Sequence, residues 1–548
     1  MSDLEKRDSH EIMPVSSRVA DHSATEANRR ALSGAPPPFR WASLWEPAVV
    51  NPLNGKSFTF PILNLRDQYS INFHLAWFGF FVAFLSWFAF PPLIPEAIRE
   101  DLHLTPAQIG NSNIVALCAT LVCRFIFGPL VDRFGPRITM AIILILGAIP
   151  SGLAGTVTNV GGLYVIRFFI GILGATFVPC LAWTTAFYDK SIVGMANSFA
   201  GGWGNLGGGV TFVVQVAVFQ SLTNDRGLSS SDAWRAAFAV VPVPLLLGTA
   251  IATLVFGTDH PAGKWSARHT LPSTAIAARQ GHLASLDPAE REVIERKMRE
   301  KQSGSAHVQA ADDEIEESGA EIPLDVAVNE PLTWKKFVEM VCAPYIWLPA
   351  LMYMTTFGFE LAVDSNMPNV LFADHHSNGT DGRPAFGQLE AGYYTSVFGF
   401  LNIVTRPFGG YLADRLYARY GIKSKKYVTI ALGFLQGAMS IGYGAYTLVK
   451  HQDGIRPSLS IQMGFVALMA IFCEVANGTN FSLVPHCNPF SNGFVTGLVG
   501  AFGNLGGIFF ALMFRFHTTQ GYAVAWLAAG AFAAGLNLLC ILIPTPKQ

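Results

Sequence analysis

Two arginines carry the sharpest chemical signal in this 548-residue chain. Arg124 and Arg406 each lie inside an apolar run, eight residues before an aspartate, Asp132 and Asp414 respectively. Eight residues are roughly 12 Å of helix, so the two side chains sit at similar depth. An arginine in the middle of a bilayer costs about 2.5 to 3.5 kcal/mol on insertion scales, and a pair at matched depth needs anions or water for company. No carboxylate recurs at that depth with the same symmetry, which makes a bound anion the expected counter-charge. Guanidinium is planar, permanently charged and able to donate two parallel hydrogen bonds, so it suits a small flat oxyanion better than lysine does. The structural alternative stays open: each arginine pairs with helix carbonyls or a neighbouring glutamate.

Other polar residues in apolar runs extend the set. The strings GGWGNLGGG and GAFGNLGG repeat Gly204 and Asn205 as Gly503 and Asn504. Glycines at this spacing let helices touch, but an asparagine in a dry setting must find partners; the expectation is that both amides donate to substrate oxygens. Glu360, Asp364 and Glu474 are candidates for proton coupling, because apolar surroundings disfavour a bare carboxylate. Arg167 could neutralise one of them, or act in gating. Tyr353, Phe84, Trp87, Phe357 and Trp203 could clamp a flat anion, although packing is the commoner role for membrane aromatics. Asp132, Arg133 and Arg137, with Asp414 and Arg415, fall at helix ends and read as latches between two domains. The seven cysteines are scattered singly, so neither disulfides nor a metal are expected. No cofactor and no enzymatic activity are expected either, since the chain shows no nucleophile triad or phosphate loop.

These residues need helices to hold them. Charged residues are only 14% of the chain, against about 25% in soluble proteins, and near-neutral net charge gives no case for nucleic acid. Apolar stretches of about 20 residues, enough to cross a bilayer, occur twelve times in two groups of six. The expectation is an all-α membrane protein with a cytoplasmic tail (1–70, largely disordered), a first six-helix half (71–257), a cytoplasmic linker (258–342), a second half (343–544) and a short tail (545–548). Lys and Arg concentrate in alternate loops, which places both termini in the cytoplasm. Asn378-Gly379-Thr380 is a possible glycan site on the outer side. RFIFGPLVDRFGPR from Arg124 matches RPFGGYLADRLYARYG from Arg406 at Arg, Gly, Asp and Arg, and the glycine strings echo in the same order. Two halves related by an axis along the membrane normal, with a site between them, follow from that repeat.

The chain resembles the nitrate/nitrite porter family of the major facilitator superfamily, most closely its fungal members. The resemblance runs from about Asn51 to the C-terminus. It is carried by FVAFLSWFAFPPL, NSNIVALCATLVCRFIFGPLVDRFGPR, RFFIGILGATFVPC, DKSIVGMANS, GKWSARH, VFGFLNIVTRPFGGYLAD, ANGTNFSLVPH and the two GNLGG strings. It implies that Arg124 and Arg406 bind the anion, with Asn205, Asn504 and the Tyr353 of YMTTFG beside them. It also implies a plasma-membrane importer of nitrate, with nitrite close behind, driven by protons through alternating access. A monomer in contact with membrane lipid is expected. Two alternatives remain open at this point: nitrate/nitrite exchange without protons, and a nitrate sensor built on a transporter fold.

Overall fold

The structure, a computed structural model, describes residues 37–51, 55–189, 191–261, 263–266, 338, 342–379, 385–487 and 492–545. The chain divides into two compact units, one of Met1–Asn64 with Leu271–Val326 and one of Leu65–Thr270 with Ala327–Gln548. In the first, residues expected to be unstructured form a short 3-10 turn, Trp41–Leu44, and an antiparallel bridge between Val50 and Ser57. The Ser57 hydroxyl supports that bridge by donating to the Thr59 carbonyl at 2.7 Å. Most of the linker, and Thr380 of the sequon, lie outside the described residues.

The second unit is built of helices, with isolated antiparallel bridges His260 to Gly263 and Ser377 to Phe386 in its connections. Its long segments are α1 (Gln68–Asp101), α2 (Pro106–Phe134), α3 (Pro136–Thr156), α4 (Val160–Phe187), α5 (Val193–Asp225), α6 (Ser230–Phe256), α7 (Pro344–His375), α8 (Gln388–Tyr420), α9 (Ile422–Gln452), α10 (Leu459–Cys487), α11 (Asn492–Phe516) and α12 (Gln520–Leu542). Eleven of these are long and apolar enough to cross a membrane. The exception, α8, carries Glu390, Arg406, Asp414, Arg415 and Arg419 on its 33 residues, and its buried face is largely small or polar, with Gly399, Asn402, Thr405, Gly409 and Gly410.

Local chemistry fixes the ends and breaks of these helices. Thr105 caps α2 in a reciprocal box with Gln108, and Pro106 stands at the first helical position, where a missing N–H costs nothing. The prolines of FPPLIP break α1 into 3-10 and π segments after Trp87. In α4, a 3-10 stretch at Gly171–Thr176 interrupts the helix, a break that frees carbonyls for other donors. α2 and α8 both end on glycines in the left-handed region, Gly135 at φ +91° and Gly421 at φ +70°. Gly135 has no substitute: a Cβ there would strike Asp259 and the Trp265 ring.

α1 to α6 and α7 to α12 form the two halves, which meet along α2 with α11 and α5 with α8. The end of the bundle where α1 and α7 begin is called the near face below, and the opposite end the far face.

Candidate functional site

At the centre, α2, α4, α7, α8, α10 and α11 bring Arg124 and Arg406 together, both with no solvent exposure. Each guanidinium sits over the ring of Phe357, Arg124 at 5.2 Å and Arg406 at 5.7 Å from its centroid. Tyr353 stacks on Phe357 at 4.7 Å and 7°, and Phe177 stacks on Tyr353 at 5.6 Å and 22°. Phe177 also lies 4.7 Å from the Arg124 guanidinium, as Phe481 lies 5.6 Å from that of Arg406. The result is a cage of aromatic faces with two cations in its walls, an arrangement that attracts cations to the rings and leaves their outward N–H groups for an anion.

The two arginines are not equivalent, which corrects the expectation of a pair without any resident counter-charge. Arg406 forms an ion pair with Glu360. The reason is one that spacing along a single helix could not reveal: Glu360 lies on α7, and only the packing of α7 against α8 sets it at the depth of Arg406. Arg124 has no acidic partner among the described residues. It donates Nε to the Gly174 carbonyl at 2.8 Å and Nη1 to the Gly500 carbonyl at 2.7 Å, using one carbonyl exposed by the break in α4 and one from the other half. Its Nη2 has no hydrogen-bond partner among the described residues, nor do Arg406 Nε and Nη1 or the Tyr353 hydroxyl. Buried donors without acceptors are rare in folded proteins, because each costs about 1 to 3 kcal/mol.

The signature asparagines flank this cage. Asn504 Nδ2 donates to the Gly500 carbonyl at 3.0 Å, the same oxygen that Arg124 uses, and Asn205 Nδ2 donates to the Gly201 carbonyl at 2.9 Å. One hydrogen of each amide is thus spent on its own helix and only the second is left for other oxygens. Gly503 faces the Tyr353 and Phe357 rings, where a Cβ would lie 2.7 and 2.8 Å from ring carbons; Gly204 faces Phe80 in the equivalent place. Phe84 is buried and tilts toward Phe357 at 6.5 Å. Trp203 is elsewhere, packed on Trp77 at 5.2 Å.

The carboxylates form a second layer behind Arg406. Asn402 Nδ2 donates to Glu360 at 3.2 Å and to Glu474 at 3.0 Å, Thr405 donates to Glu474, and Asn477 donates to Glu360 at 2.9 Å. Asp364 follows Glu360 by one turn of α7 and its Oδ1 has no partner among the described residues. By the matching contacts of Gly204 with Phe80 and of Gly503 with Tyr353, Trp87 and Pro91 stand where the second half has Glu360 and Asp364, and α4 holds no Asp or Glu to answer Glu474. The acids therefore belong to one half only. Arg167 does not neutralise them: it lies in the first half, its guanidinium 5.4 Å from the Phe90 ring.

At the near face, Asp132 Oδ2 accepts from the Phe494 amide at 3.1 Å, and Asp414 Oδ2 accepts from the Met195 amide at 3.0 Å. Each aspartate thus caps the start of a helix in the opposite half, where unpaired amides and the helix dipole favour a negative charge. Lys425 of α9 is buried and binds Asp414 Oδ1 at 2.9 Å. Arg137 does not bridge the halves. It pairs with Asp259 at 3.2 Å within the first half, where burial holds the Asp259 carboxyl above its ordinary value against the pull of Arg137. Trp265 of GKWSARH donates to the Asp132 carbonyl at 2.7 Å. Arg133 and Arg415 are exposed, and Arg133 lies over the Phe134 ring. At the far face, Asn113 Nδ2 donates to the Ser365 carbonyl at 3.4 Å and Arg515 Nε to Asn111 at 2.7 Å, both across the halves. Contacts at both ends enclose the central arginines.

The repeat hid several participants. Phe177 and Phe481 were legible in principle, since FVPC of α4 answers FSLVP of α10. Asn402, Asn477 and Lys425 had no sequence signal beyond being polar in apolar runs.

Comparison with known proteins agrees with this architecture. The chain is similar to Nitrate transporter 2.1 of Chlamydomonas reinhardtii, at 29% identity over 90% of this chain and 78% of that one. It is 28% identical to High affinity nitrate transporter 2.5 of Arabidopsis thaliana, over 90% of this chain and 83% of that one. It is also 28% identical to the Nitrate/nitrite transporter NrtP of Nostoc punctiforme, over 83% and 88%. The proton:xylose symporter XylE shares the fold at a TM-score of 0.56 and 14% identity, covering 88% of this chain and 98% of that one. Residues 76–511 match the model of the Major Facilitator Superfamily, and with the two six-helix halves in place the chain belongs to that superfamily: it is a multi-pass membrane transporter and not an enzyme.

Proposed function

We propose that this transporter carries nitrate, with nitrite as a second substrate, into the cell together with protons. The observation that carries the reading is Arg124, a fully buried cation that has neither a carboxylate partner nor an acceptor for Nη2 among the described residues, facing the same ring as Arg406. A monovalent anion between the two guanidinium groups satisfies the leftover donors of Arg124, Arg406 and Tyr353 and neutralises a charge that lipid would not accept. The aromatic faces of Phe357, Tyr353 and Phe177 offer a slot for a flat ion. Curated relatives of similar length bear the name nitrate transporter, which supports the same cargo.

Proton coupling rests on Glu360. It occupies Arg406 much as the substrate would, so nitrate and the ionised Glu360 compete for one guanidinium. A proton passed from Glu474 to Glu360, two carboxylates that Asn402 holds side by side by donating to both, neutralises Glu360 and releases Arg406. Nitrate and proton then favour each other's binding, as linkage requires. Asp132 and Asp414 act as latches of the near face, and Asn113, Ser365, Asn111 and Arg515 close the far face, so the two ends open in turn. The excess of Lys and Arg in the near-face loops supports a cytoplasmic near face with both termini inside, and an importer of this kind belongs in the plasma membrane.

The test is uptake of isotope-labelled nitrate by proteoliposomes holding the full chain. An inward proton gradient is expected to accelerate uptake severalfold and to leave the lumen more acidic as nitrate enters. Binding without flux would establish a sensor instead. Flux that needs internal nitrite and ignores the gradient would establish an exchanger.

A further inference from the structure

On the far face, α1, α2, α7, α11 and the turn into α12 surround a cavity of about 240 Å³, several times the roughly 30 Å³ that one water occupies in the liquid. Its wall presents the side chains of Arg99 and Arg515, of Asn366 and Asn369, and of Tyr522, and includes no carboxylate. Of the acids close by, Asp101 pairs with Arg235 at 2.8 Å, Asp374 is held by His451 at 3.1 Å and by Gln462 at 2.7 Å, and Glu100 is exposed. Arg515 is steadied through Nε by Asn111, and neither cavity arginine has an ion pair among the described residues. Tyr522 reaches the wall from a turn whose three residues, Gln520 to Tyr522, are all left-handed, at φ +52°, +61° and +59°. Non-glycine residues hold that conformation only where the surroundings dictate it.

The cavity is in line with the central cage. On α2, Gly110 of the cavity wall is followed by Asn113, then Leu117, then Arg124, a descent of roughly 20 Å. On α7, Asn366 is followed inward by Leu361, Phe357 and Tyr353, and on α11, Arg515 by Gly507 and Asn504. Two closures separate the levels: the Asn113 to Ser365 hydrogen bond, and Leu117 and Leu361 meeting over Gly507.

We propose that this cavity is a second, outer anion site, in which Arg99 and Arg515 collect a small monovalent oxyanion from solution and hold it above the closed gate until the path to Arg124 and Arg406 opens. A cleft lined by charges of one sign concentrates the opposite ion and speeds its capture. This inference rests on the nitrate reading, because it names the same substrate on its way in.

Full-length protein in proteoliposomes provides the test, with labelled nitrate uptake measured at about 10 mM and about 150 mM of a gluconate salt, where screening lengths are about 30 and 8 Å. Wild-type KM is expected to rise severalfold with salt. The variant Arg99→Gln, which leaves the gate and the cage untouched, is expected to raise KM at low salt by about three- to fivefold and to flatten its salt dependence, with the maximal rate within about twofold. Arg99→Lys, which keeps the charge, is expected to behave as wild type, and replacement of this exposed side chain leaves the fold in place. Unchanged KM and salt dependence in Arg99→Gln overturns the outer site while leaving the central reading intact. Arg99→Lys as impaired as Arg99→Gln also overturns it, by separating the effect from the charge. Wild-type protein that moves no nitrate sinks the cargo reading and this one with it.

Discussion

At the scale of the residue, the asymmetry between Arg124 and Arg406 determines what each substitution does. Lysine at position 124 cannot reach both the Gly174 and Gly500 carbonyls while presenting a further donor, so Arg124→Lys should lower uptake more than tenfold at low nitrate. That corresponds to a loss above about 1.4 kcal/mol in binding. Arg406→Lys loses the planar fork that serves Glu360 and substrate together, and a similar loss is expected; labelled-nitrate binding and uptake measure both. The carboxylates separate by role. Glu474→Gln keeps the contacts with Asn402 and Thr405 but carries no proton, so stimulation by a proton gradient should disappear while nitrate binding changes by less than about twofold, roughly 0.4 kcal/mol. Glu360→Gln removes the competitor of the substrate and should tighten nitrate binding at neutral pH while abolishing uphill transport. Equal effects of the two substitutions on binding would refute the assignment of Glu360 as the competing anion. The arginines were legible in the sequence because a charge in an apolar run is unambiguous. The ion pair with Glu360 was legible only as an open alternative, because it joins two helices whose relative depth no spacing within either one determines.

At the scale of the element, the glycine strings decide how near the helices come. Gly207 of α5 lies against the Phe81 carbonyl of α1, and Gly506 of α11 lies against the Met354 carbonyl of α7, the same contact made once in each half. Gly506→Ala forces a Cβ into backbone, which has no rotamer to escape through, and overpacking of this kind costs about 1 to 3 kcal/mol or more. A lowered melting midpoint or loss of monodisperse protein is expected. Gly535→Ala on α12 meets nothing within 4 Å and should be neutral, or stabilising by up to about 1 kcal/mol from helix propensity. The strings were visible as a repeat, and the helices as twelve apolar runs, because lipid imposes length and composition on any span. The break in α4 at Gly171–Thr176 was not visible, since its residues suit an ordinary helix; its use becomes plain only when the Gly174 carbonyl is found on Arg124.

At the scale of the whole molecule, closure of the near face depends on Asp132 and Asp414 reaching helix starts in opposite halves. The substitutions Asp132→Asn and Asp414→Asn together should shift the population toward opening at that end. Spin labels on cysteines replacing the exposed Phe134 and Tyr420 would report longer separations, and an unchanged distance distribution would remove the latch role. The halves share their fold and their aromatic cage, but the acids ride on the second half alone. A transporter assembled from two copies of the first half would retain arginines, rings and asparagines and have nothing with which to tie nitrate to a proton gradient. It would let nitrate equilibrate and never accumulate it. Under the proposed coupling, replacing Glu360, Asp364 and Glu474 by apolar residues would leave such a carrier, so the capacity to concentrate a scarce nutrient would reside in one half of a molecule whose two halves share the same frame.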